Sequence, residues 1–160
     1  MIIETATIDD AAEILALQKL AYQSEAALYD DHSIPPLVQT LDQMEADIRQ
    51  QIVLKAVQDE RIVGSVRGYL RDGTCYIGRL IVHPEQQNQG IGTRLMNEIE
   101  RCFDAARRYE LFTGDRSERN LRLYRKLGYS TCRTAPLAGN VTLTYLDKRG
   151  PAADVTKKQQ

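Results

Sequence analysis

The chain has 160 residues, with 21 Lys plus Arg against 22 Asp plus Glu, and is 42% hydrophobic. Length and apolar content suit one globular domain with its own core. No window approaches the eighteen or so apolar residues that a membrane span needs, and the start MIIETATIDD has neither the basic flank nor the apolar run of a leader peptide, so a cytoplasmic protein with no membrane partner is expected.

The net charge of -1 conceals an asymmetry. Residues 1–60 hold 12 acids and 3 bases, net -9, and residues 61–160 hold 10 acids and 18 bases, net +8. The two parts should face different ligands.

In chain order, residues 2–6 read as a strand, and Thr7 or Asp9 caps a helix with Ala11, Ile14, Leu15, Leu17 and Ala21 at helical spacing, ending near Ser24. Glu25 to Gln39, with Asp30, Asp31, His32 and Pro35-Pro36, reads as a loop, and a second helix runs from Thr40 or Asp42 to about Gln50. Residues 52–58 and 61–70 form a hairpin at Asp59-Glu60, and Asp72-Gly73 turns into a third strand, 74–82. A strongly amphipathic helix follows, with Ile91, Leu95, Ile99, Cys102, Phe103 and Ala106 on its apolar stripe. A strand at 110–113, a helix at 117–127 closed by Gly128, and strands at 129–133 and 140–146 complete the pattern. The domain is expected to span 1–147, with 148–160 as a flexible tail.

Chemistry concentrates in RLIVHPEQQNQGIGTRLM, residues 79–96, where an apolar strand runs through His83-Pro84 and Gln87 to Gly92 into the amphipathic helix. Glycines there let the backbone approach a ligand, and the unsatisfied amides of a first helical turn favour a phosphate. Taken alone, Gly90 and Gly92 serve a tight turn equally well. Position 95 is Leu, which excludes the dinucleotide fingerprint, and Thr93-Arg94 after Gly92 excludes a Walker loop.

The run Gln87-x-x-Gly90-x-Gly92, preceded by a strand and followed by Leu123-Tyr124-x-Lys126-x-Gly128-Tyr129, resembles the acyl-CoA loop and the later helix of the GNAT superfamily of N-acetyltransferases. The resemblance covers roughly residues 2–146 and implies a mixed α/β fold: one mostly antiparallel twisted sheet of six to seven strands flanked by about four helices. It further implies that acetyl-CoA is the co-substrate and an amine the acceptor, with no metal and possible pairing as a homodimer.

Carried over residue by residue, the resemblance assigns the pyrophosphate to the amides of Asn88, Gln89, Gly90, Ile91, Gly92 and Thr93, with Gln87 ordering the loop. Leu80, Ile81 and Val82 would pair with the pantetheine arm, and Tyr124 would be the general acid. Ser117 stands where relatives often have Asn and either caps its helix or touches the cofactor. Asn120 has no assigned role. No acid lies on residues 76–82, where many relatives keep a base, so base candidates come from the region between the first two helices, Glu25 and Asp31 foremost, with Asp30 and His32 beside them. His83, before Pro84, reads as a turn residue.

Cys75, Cys102 and Cys132 read as buried or half-buried thiols, with Cys102 on an apolar helix face, and only two histidines exist to complete a metal site. The basic series from Arg101 to Lys126 has no interleaved aromatic platform, so nucleic acid is not expected as a partner. CoA carries roughly four negative charges on its phosphates, which suits the +8 part. Six acids and no base between Glu25 and Asp47 suggest a cationic amine as acceptor. Other readings are a protein Lys or N-terminal acetyltransferase, and a non-catalytic acyl-CoA sensor.

Overall fold

The computed structural model describes residues 1–154. Its centre is one seven-stranded sheet in the order β1-β2-β3-β4-β5-β7-β6. The strands are β1 (Ile2–Thr5), β2 (Ile52–Gln58), β3 (Arg61–Arg71), β4 (Thr74–Val82), β5 (Arg108–Gly114), β6 (Ser130–Pro136) and β7 (Thr142–Arg149). Asp59-Glu60 and Asp72-Gly73 have positive φ at both positions, the turn geometry whose twist matches a tight hairpin. All neighbouring pairs run antiparallel except β4 with β5.

Helices cover both faces. On one, α5 (Ile91–Cys102) and α6 (Glu118–Lys126) bury Leu95, Met96, Ile99, Leu121 and Tyr124 against Leu54, Val66, Ile77 and Leu111 of the strands. Leu95 and Ile99 are fully enclosed, so truncating either to Ala should cost about 2–5 kcal/mol. On the other face, α1 (Ala11–Ala21) and α4 (Leu41–Gln50) pack Ile14, Leu17 and Met44 on Val53, Ile62 and Ile81.

Residues 25–39, expected as loop, are largely helical: α2 (Gln23–Tyr29) and α3 (Pro35–Val38). The chain breaks at Tyr22 and resumes, because Ala26 and Tyr29 gain a buried site against Val141 and Leu143. Asp30, in the left-handed region at φ 49°, ends α2, and Pro35-Pro36 start α3 where missing N–H donors are harmless. The turn residues were legible, but the tertiary burial that makes helices between them was not.

Two further expectations are corrected. Strand β7 runs through Arg149, and the chain after it is held: Lys148 Nζ reaches Glu100 Oε1 at 2.7 Å and donates to the Leu127 carbonyl at 2.9 Å, while the Gly150 and Ala152 amides bond Arg107 and Ala106 carbonyls. The expected tail therefore starts inside a strand, and residues 155–160 lie outside the described residues. Cys75 is buried, but Cys102, at the last turn of α5, and Cys132 are exposed. The stripe closes on Phe103, which packs against the core in place of Cys102. Among the described residues no helix is long and apolar enough to cross a membrane, and no group of three His, Cys, Asp or Glu side chains could hold a metal.

Candidate active site

The parallel pair β4–β5 is joined only at Thr74↔Arg108, Cys75↔Tyr109 and Tyr76↔Glu110. Beyond these, β5 stays paired with β7 along its whole length while β4 follows β3, so the sheet opens into a gap. A bulge in β4 widens it. Ser65 faces Ile81 and Arg67 faces Gly78, which leaves Arg79 and Leu80 together opposite Val66, with Arg79 at φ 50°. From Leu80 to Val82 the edge of β4 that faces β5 has no strand partner among the described residues.

The chain leaves β4 through a short 3-10 turn at Pro84–Gln86, where His83 Nδ1 accepts from the Glu85 amide at 3.1 Å, a turn role. Gly90, at φ 79°, precedes α5, and a Cβ added there would meet nothing within 4 Å. The Arg94 amide is the first to bond back, to the Gly90 carbonyl at 3.1 Å. The amides of Ile91, Gly92 and Thr93 are the orphan donors of the first turn, at the positive end of the helix dipole and beside open space. Gly92 brings this turn close to the β4 end: a Cβ there would touch Leu123, Val82 and Leu80 at 3.4–3.9 Å.

Tyr124 projects from α6 with 5% of its surface exposed, edge-on to Tyr129 at 6.1 Å between centroids. Burial pushes its phenol far above the ordinary value of 10.0, and Tyr22 and Glu25 add to the effect, so it keeps its proton. Tyr22 packs with Ala26, Tyr29, Val141 and Leu143, in a cluster separate from the one that holds Tyr124. Ser117, expected either to cap α6 or to touch the cofactor, occupies the N-cap place but makes no capping bond; its hydroxyl instead donates to Glu25 Oε1 at 2.7 Å. Asn120 Nδ2 approaches Thr113 Oγ1 at 3.3 Å.

Tyr29 fastens α2 over this junction, donating to Asp115 Oδ1 at 2.9 Å and accepting from the Arg116 amide at 2.8 Å. Gly114 makes room for it, since a Cβ there would lie 2.3 Å from the Tyr29 hydroxyl.

Of the base candidates, Glu25 is the one bonded to Ser117, at the start of the helix that carries Tyr124. Asp31 accepts from the Ser33 amide at 2.9 Å and hydroxyl at 2.5 Å, and these bonds hold its carboxyl below the ordinary range. Asp30 ends a helix and His32 is exposed. Sequence reasoning missed Tyr22 and a polar network beside it. Asp47 pairs with Arg67 and accepts from Gln39 Nε2 at 2.6 Å; Gln39 Oε1 in turn accepts from Gln18 at 2.8 Å and from Arg79 at 3.2 Å. The signal was present in Arg67 and Arg79, two arginines inside otherwise apolar strands.

The model of the acetyltransferase (GNAT) family matches residues 13–129. The chain belongs to the GNAT acetyltransferase family. Members of this family are acyltransferases, and the seven-stranded mixed sheet agrees with the expected fold. A curated relative, the UPF0157 protein YqkA of Bacillus subtilis, is 25% identical over 134 residues, which are 84% of this chain and 38% of that protein. The chain thus spans well under half of that relative. PaiA N-acetyltransferase from Thermoplasma acidophilum, solved with coenzyme A, superposes with a TM-score of 0.78 over 93% of this chain and 99% of that one at 17% identity. The putative acetyltransferase YncA from Salmonella typhimurium, solved with acetyl-CoA, gives 0.72 over 93% of each chain at 21% identity. At such identities the likeness is one of fold.

Proposed function

We propose that this GNAT protein transfers an acetyl group from acetyl-CoA to a primary amine by direct attack. The observation that supports the reading is the placement of α6, which carries buried Tyr124: its Leu123 lies against Gly92 and the Leu80–Val82 end of β4, and its N-cap Ser117 bonds Glu25. The open space at Gly90 and the orphan amides of Ile91, Gly92 and Thr93, with Asn88 and Gln89 before them, suit the pyrophosphate. The free edge of Leu80 to Val82 suits an extended amide-bearing arm, and a β4 amide there would polarise the thioester carbonyl. The thioester supplies an activated acetyl group.

Glu25 takes a proton from the acceptor ammonium, directly or through a water, which frees the lone pair for attack. As the N–C bond forms and the C–S bond breaks, Tyr124 gives its proton to the departing thiolate, and the second proton that the nitrogen loses on becoming an amide restores the Tyr124 phenol, while Glu25 passes the first to solvent. Ser117 holds the Glu25 carboxylate in place through its hydroxyl.

Of the six acids that suggested a cationic acceptor, Asp47 is paired with Arg67, Glu45 with Arg49, and Asp31 is bonded to Ser33. Glu25, bonded to Ser117, lies within electrostatic reach of Tyr124 and Tyr22, which supports it as the acid that meets the acceptor. The positive charge to be recognised is, on this reading, the ammonium of a small acceptor, which would enter beside α2 where Tyr29 bonds it to Asp115 and Arg116 after β5. The test is thiol release from acetyl-CoA with a panel of amines. Amine-dependent release supports transfer, whereas acetyl-CoA binding with no release on any amine would make the protein a sensor.

A further inference from the structure

Resting on that reading, a second charge on the acceptor can be located. Gly78 and Arg67 are direct cross-strand partners and so project to one face of the sheet, the face of α1 and α4. The bulge places Arg79 on that face too, where it bounds, with Gln18, Arg67 and Ile14, a cavity of about 10 Å³, room for a single water at most.

Asp47 is committed to Arg67 and Gln39. Half-buried Arg79 has no carboxylate within ion-pair distance among the described residues, and its hydrogen bond goes to Gln39 Oε1, a neutral oxygen that Gln18 already uses. Of two guanidiniums on this face only Arg67 thus has a carboxylate, in a place too enclosed for full hydration, where a charged group without a counter-charge is expensive. Open space begins beside them, since a Cβ on Gly78 would meet nothing within 4 Å. Tyr22 lies within electrostatic reach of Arg79, Arg67 and Glu25, so both charge signs act on one side chain there.

We infer that Arg79 binds a carboxylate carried by the acceptor, so that the acceptor is a free amino acid held as a zwitterion: ammonium at Glu25 and Tyr124, carboxylate at Arg79 over the open floor of Gly78. Arg79 is then a specificity residue, and the bulge that forms the gap also sets which acceptors enter it.

The test is thiol release by the full chain with acetyl-CoA and three acceptor sets: α-amino acids, their carboxamides, and unsubstituted alkylamines. Wild type should favour acids over carboxamides by about tenfold or more in kcat/KM, the worth of a charge-assisted bidentate bond. Arg79→Gln should collapse that ratio by raising the acceptor KM, and comparison with wild type cancels the different basicities of the amines. Arg79→Lys should restore part of it. Acetyl-CoA binding by calorimetry should stay unchanged in both variants, which shows that they fold. Should Arg79→Gln not fold, the wild-type ratio and Arg79→Lys still decide. Carboxamides used as well as acids by wild type would overturn this inference while leaving amine transfer standing. Absence of transfer to every amine, with acetyl-CoA still bound, would overturn the proposed function instead.

Discussion

In the proposed reaction Tyr124 and Glu25 carry the chemistry as single residues, and each would leave a distinct signature. Tyr124→Phe removes the proton donor and leaves the ring that packs on Tyr129; kcat should fall about a hundredfold or more with acetyl-CoA affinity unchanged in calorimetry. Because burial raises the Tyr124 phenol above its ordinary 10.0, its ionisation should not cut the wild-type rate up to pH 10, and a kcat profile that falls through pH 8 to 9 would count against it. Glu25→Gln should lower turnover by about two orders of magnitude, with acetyl-CoA affinity unchanged in calorimetry. Ser117→Ala should do the same more mildly, by loosening Glu25. Tyr124 was legible because its motif surrounds it, Leu123 to Tyr129. The Ser117–Glu25 bond was not, since its partners stand 92 residues apart and a serine before a helix reads locally as a cap.

At the scale of elements, the proposed function gives α2 the task of separating acceptor from solvent, and Gly114 is what lets α2 dock. Gly114→Ala drives a methyl into Tyr29, which should destabilise the fold by about 1–3 kcal/mol and lower Tm by roughly 2–4 °C per kcal/mol in calorimetry. Acceptor KM should rise with it. At the other end of the gap, Gly90→Ala forces an L side chain to φ 79°, at about 1 kcal/mol. Acetyl-CoA binding should weaken severalfold, measured by titration calorimetry, with acceptor KM little changed. Regular periodicity made α1, α4, α5 and the three-strand meander readable. Helix α2 escaped because seven residues cannot declare a period and its stability comes from Val141 and Leu143 across the chain.

For the whole molecule, the split of the net charge into -9 and +8 foreshadowed two ligand sides, but most acids of the first part are used internally. Asp10 shows this. Burial alone would raise its carboxyl, yet the Thr7 amide and Lys55 outweigh that and lower it. A carboxylate lowered in the fold stabilises it above the unfolded value of 3.8, and that contribution is lost as pH falls through the folded value. The parallel β4–β5 pair and its early end could not be read from alternation, because register and splay are set by the bulge at Arg79. That one irregularity accompanies the early end of the β4–β5 pairing and the free β4 edge on which the proposed arrangement of cofactor, Tyr124 and Glu25 rests. The most direct test of this arrangement is thiol release from acetyl-CoA by wild type and Tyr124→Phe side by side, with binding measured in the same samples. Amine-dependent release by wild type, at least a hundredfold less by the variant, with equal affinities, is the expected result; equal release by both, or none by either with acetyl-CoA bound, would contradict it.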